Sequence, residues 1–113
     1  MTNVDGVTLS RLIEAVSGGE VKRVHAMLQV RPELASMDMA ENNEHQALHY
    51  AVLGRNPEIV RLLIRSGANP HKGIYPHRDA TSPLTLAVER GYGEIVSIIR
   101  EEGEKTKEMA ADE

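Results

Sequence analysis

The chain has 113 residues, 41% of them hydrophobic but only 3% aromatic with no Phe or Trp, so it suits one domain with an aliphatic core. It has no cysteine, which excludes disulfides, zinc–thiolate sites and cysteine nucleophiles. A net charge of −4 argues against a nucleic-acid footprint, no apolar run approaches the ~20 residues that span a membrane, and the first residues lack signal-peptide features, so a cytoplasmic location is expected.

In chain order, residues 1–7 read as a lead-in, and Ser10 is the expected N-cap of a first helix that stops at Ser17, Gly18 and Gly19. A second helix is predicted over residues 20–30, with Val21, Val24, Met27 and Leu28 on its apolar stripe. Pro32 stops it, and Leu34 is expected to tuck back under the unit. Residues 37–43 form a polar connection. Leu48, Ala51 and Val52 then share one face of a third helix, which turns at Gly54, Arg55 and Asn56. Asn56 caps a fourth helix with Pro57 at its first position and Ile59, Val60, Leu62, Leu63 and Ile64 along its stripe. Gly67 ends it in a left-handed cap, and Pro70 prevents a restart. A second long connection, residues 71–81, holds two histidines, a tyrosine, an arginine and an aspartate. Ser82 and Pro83 begin a fifth helix, and Gly91, Tyr92 and Gly93 turn into a sixth that reaches about Glu102. Residues 104–113 are charged and helix-favouring, giving either a helical extension or a disordered tail.

Behind this order lies a repeat. Leu12, Leu48 and Leu84 are 36 residues apart (48 − 12 and 84 − 48), and the same spacing relates Ala15, Ala51 and Ala87; Val16, Val52 and Val88; Val24, Val60 and Val96; and Met27, Leu63 and Ile99. Arg23 stands in the column of Ile59 and Ile95, and Arg100 in that of Leu28 and Ile64. Such polar replacements suit the outward faces of a first and a last unit.

The unit resembles the ankyrin repeat. The central copy matches the family pattern at Leu48, His49, Ala51, Glu58, Ile59, Val60, Leu63, Gly67, Ala68 and Asn69, and the third at Pro83, Leu84, Ala87, Gly91, Glu94, Ile95, Val96 and Gly103. The first matches at Leu12, Ala15, Gly19, Val24 and Leu28. Gln46 and Ala47 replace the usual Thr-Pro, Arg55 the turn glycine and Thr85 the histidine. The period of 36 exceeds the family's roughly 33 residues, so each connection carries a few extra residues. The resemblance implies an all-α solenoid of three helix-turn-helix units with long inter-repeat fingers: a lead-in over 1–7, a repeat domain over 8–103 (copies at about 8–36, 41–73 and 77–103) and a tail over 104–113.

What such an array implies is a protein-interaction module binding through finger loops and the inner-helix face. Contacts are expected at Asn42, Asn43, His45 and Leu53 in the central copy and at Thr81, Glu89 and Arg90 in the third. Tyr75, His77, Arg78 and Asp79 fill the second finger with side chains suited to directional hydrogen bonds and aromatic contact, although the same residues could serve the finger's own turn. The protein partner is unidentified, and a monomer is expected. The alternative is an accessory ankyrin segment of a larger enzyme or regulatory protein. No catalysis and no cofactor are expected. His45 and His49 have metal-ligand spacing but lack the glutamate of a zinc motif, and His49 occupies the family's tetrapeptide histidine position, where the resemblance implies a hydrogen bond to a neighbouring repeat's backbone. Gly91 and Gly93 belong to a turn rather than a dinucleotide loop, and Glu101, Glu102 and Glu104 read as a solvated charge run.

Overall fold

The computed structural model describes residues 7–37, 46–72 and 81–111, with side chains as far as 103. Six helices follow in order: α1 (Leu9–Ser17), α2 (Val21–Val30), α3 (Ala47–Leu53), α4 (Pro57–Arg65), α5 (Pro83–Glu89) and α6 (Gly93–Ala111), with a 3-10 turn at Pro32–Ser36. No strand occurs among the described residues.

The capping chemistry explains where the helices start. The Asn56 side chain accepts from the Ile59 N–H at 3.2 Å, and the Ser82 hydroxyl accepts from the Thr85 N–H at 3.1 Å, each followed by a proline whose missing donor is not needed. The first helix departs from the repeat spacing. Its cap is Thr8, which accepts from the Arg11 N–H at 3.3 Å, while Ser10 lies inside the helix. Spacing alone projects the cap of α3 and α5 back onto Ser10; the chain before α1 instead continues the helix by two residues, placing Leu9 and Val7 against the core.

The three hairpin turns repeat at the same interval. Gly19, Arg55 and Gly91 all have positive φ, at 70°, 53° and 73°. The next residue in each case, Glu20, Asn56 or Tyr92, donates its N–H to the alanine carbonyl of the preceding helix at 3.0, 3.1 and 2.9 Å. Helices α1, α3 and α5 stack as one layer and α2, α4 and α6 as a second, so each hairpin packs on its neighbours. The core lies between the layers: Leu12, Ala15, Val24, Leu48, Val52, Ile59, Val60, Leu63, Ala87 and Ile95 are fully buried. Leu34 is buried too, as its tucked position predicts.

Two expectations change. Glu102 is not part of a solvated run: it is 4% exposed and is clasped from α4 by Arg61 at 3.0 Å and by Arg65 at 3.0 Å. Glu101 does stay exposed and accepts from Arg61 at 3.2 Å. Val88, aligned with buried Val16 and Val52, is 54% exposed, because no further hairpin covers it among the described residues. Arg100 is exposed, as its place on an outward face requires.

Candidate interaction surface

The sequence-expected contact residues divide by the described segments. Asn42, Asn43 and His45, and Tyr75, His77, Arg78 and Asp79, lie outside the described residues. Leu53 ends α3 with 39% of its surface exposed; Glu89 ends α5 and Arg90 caps it, both exposed. Leu53 and Glu89 are one repeat apart, so the stacking of α3 on α5 brings them to the same edge of the inner layer.

The finger bases are held by the first turn of α3. The Gln46 amide donates from Nε2 to the Ser36 carbonyl at 3.2 Å, which closes the base of the first finger. His49 closes the second. Its Nδ1 accepts from the Gln46 N–H at 3.1 Å, which leaves the proton on Nε2, and Nε2 meets the Thr81 carbonyl at 3.1 Å. Leu84 also donates its N–H to the Pro70 carbonyl at 3.0 Å. Thr81 is half-buried, and His49 is fully buried with both ring nitrogens engaged by the backbone. Among the described residues no group of three His, Cys, Asp or Glu side chains is placed to hold a metal ion.

One contact was only half visible in the sequence. Arg55 departs from the turn glycine, and its guanidinium lies 4.9 Å from the centre of the Tyr92 ring while Nε donates to Glu94 at 2.9 Å. The arginine reaches from the second hairpin turn to the third, a link that a glycine could not make. Arg61 is held above its ordinary pKa first by its hydrogen bond to Glu101. Glu33, beside the first finger, is held below its ordinary value first by a backbone hydrogen bond and then by Arg31. Both groups sit at the surface and are screened by water. On the outer layer a shallow groove of about 390 Å³ runs between α2 and α4, floored by Val21 and Leu62 and rimmed by Lys22, His25 and Glu58.

A family model for ankyrin repeats in three copies matches residues 12–109. The chain belongs to the ankyrin repeat family. It is similar to a Notch-regulated ankyrin repeat-containing protein of Xenopus laevis, 34% identical over 84 residues, which are 74% of this chain and 71% of that protein. It is 33% identical to protein phosphatase 1 regulatory subunit 27 of Mus musculus over 85 residues, 74% of this chain and 51% of that one. A further match, 37% over 67 residues, is to the glycerophosphocholine phosphodiesterase gde1 of Schizosaccharomyces pombe; it covers 59% of this chain and 6% of the other. The chain therefore spans about half of the mouse relative and a small part of the yeast one. In this ankyrin array the tetrapeptide histidine, the stacked hairpins and the left-handed turns stand where the repeat pattern puts them.

Proposed function

We propose that the array binds a protein partner through its two fingers together with the inner-layer edge marked by Leu53, Glu89 and Arg90. Ankyrin repeats are in general protein-interaction modules, and the carrying observation is how the fingers are mounted. Both bases are fixed by hydrogen bonds from the buried Gln46 and His49 at the start of α3, so a partner meets loops that emerge from a rigid support. An exposed leucine beside Glu89 and Arg90 supplies an apolar contact with charges that set orientation. The array itself carries no chemistry in this reading, and it acts in the cytoplasm.

The test is quantitative capture from native lysate with the intact chain, compared with Tyr75→Ala/Arg78→Ala and with Leu53→Ala/Arg90→Ala. Tyrosine and arginine are frequent hot-spot residues, so the expected result is a captured protein lost about tenfold or more with at least one pair while both variants keep the wild-type melt. Partners retained equally by all three chains would sink the proposal. A second reading is favoured by the yeast relative, an enzyme by its name, which matches over 6% of its length: the array serves as an accessory segment of a larger protein, presenting substrate or partner to it.

A further inference from the structure

The two junctions between repeats follow the same spacing but are filled differently. Where the chain leaves α2, the 3-10 turn Pro32–Ser36 packs on α2 and α3 and buries Leu34 and Ala35. One repeat later, the chain leaves α4 through residues 67–71 and buries only Ala68, with Pro70 half-buried and Asn69 and His71 exposed. Pro70 lies one period after Leu34 (70 − 34 = 36), so a proline stands where the first junction has its buried leucine. Beside it is a cavity of about 720 Å³, bounded by this connection, the first turn of α5 and the later turns of α6. Its residues Leu84 and Ile99 are the repeat counterparts of Leu48 and Leu63, both fully buried at the first junction.

We propose that this cavity binds a short acidic peptide segment, with a large aliphatic side chain entering beside Ile64, Leu84 and Ile99 and its flanking carboxylates meeting Arg65 and Arg100. The volume is that of a ligand site, roughly 300–1,000 Å³ in general. Its apolar part accepts the side chain: Ile99 is buried, and Ile64 and Leu84 are half-buried. Charge selects what flanks that side chain. Arg65, His71 and Arg100 line the cavity and no acidic side chain does, a local reversal of sign in a chain of net charge −4. Arg65 is clasped to Glu102 but stays 54% exposed, and Arg100 is exposed with no ion pair among the described residues. Guanidinium forks match carboxylates, and a basic segment is repelled by them. The cavity adjoins the start of α5, whereas Glu89 and Arg90 stand at its other end, so this binding goes beyond the finger-and-edge reading and does not depend on it.

The experiment is a titration of the full ¹⁵N-labelled chain, followed by its amide resonances, with three blocked pentapeptides. The first has a leucine flanked on each side by two aspartates, the second a glycine in place of that leucine, and the third the leucine flanked by lysines. The expected result is that the first peptide shifts the amides of Gly67, His71 and Gly103 around the cavity and binds about tenfold or more tightly than either of the others. Arg100 is exposed, so Arg100→Ala keeps the wild-type melt, and it weakens the first peptide about fivefold or more. Lys22→Ala, on the rim of the groove between α2 and α4, leaves that affinity unchanged. The three peptides on the wild type test the same claim without any substitution. Equal binding of the first and second peptides would show that no side chain enters, and equal binding of the first and third that the arginines do not select; either overturns the proposal. So do shifts confined to another part of the chain, no binding at all, or an affinity that survives Arg100→Ala.

Discussion

Arg55 offers a sharp test of the turn geometry. Its φ of 53° lies in the left-handed region, where its two repeat equivalents are glycines. A residue with a Cβ there costs about 1–2 kcal/mol relative to glycine, and glycine's greater freedom in the unfolded chain offsets about 0.5–1 of that. Against this strain stand two contacts. The ion pair with Glu94 joins side chains 56% and 52% exposed, so it contributes about 0–1 kcal/mol, and the stack on Tyr92 about 0.5–1. Arg55→Ala keeps the strain and loses both contacts, for a cost of about 0.5–2 kcal/mol. Arg55→Gly loses the same contacts but relaxes the backbone, so it should be more stable than the alanine variant by roughly 0.5–1 kcal/mol. Urea unfolding followed by far-UV circular dichroism, fitted with a common slope, resolves that difference. Gly91→Ala is the converse control: an added Cβ meets no atom within 4 Å, so any loss there is conformational. If Arg55→Ala proves as stable as Arg55→Gly, or more so, the left-handed turn and the reasoning built on it are wrong.

Two further outcomes concern the stack. Leu63 is fully buried between neighbouring repeats, so Leu63→Ala should cost about 2–5 kcal/mol; a melt within a degree or two of wild type would refute the register. Glu102→Gln removes the charge that joins α6 to Arg61 and Arg65 and should cost about 1.5–3 kcal/mol in low salt, less in molar salt because Arg65 is 54% exposed. Equal stability of the two proteins in low salt would show the clasp to be idle.

Much of the fold was legible because a repeat writes the same constraint three times. The aligned columns located Leu12, Ala15, Leu48, Ala51, Leu63 and Ala87 in the core, and the histidine of the tetrapeptide pattern located the bond from His49 to the next repeat. What spacing could not deliver depends on neighbours. Val88 has the right residue type in the right column, but burial there needs a following hairpin, and among the described residues none lies beyond the third. Glu102 sits in an acidic run, and nothing local announces arginines 41 and 37 residues earlier in the chain. Ser10 failed as a cap because Thr8, two residues earlier, accepts from the Arg11 N–H and starts α1 at Leu9. On the candidate surface, sequence reasoning reached Leu53, Glu89 and Arg90, but the Arg55–Tyr92 contact needed the third hairpin turn to be placed beside the second.

The first turn of α3 has a thermodynamic role beyond support. Gln46 and His49 bond to each other and, respectively, to Ser36 and Thr81, so the bases of the two fingers share one set of hydrogen bonds. The segments at Ser36 and Thr81, a repeat apart in sequence, are therefore tied to one buried pair of side chains, and losing either Gln46 or His49 takes a bond from the network that both segments share.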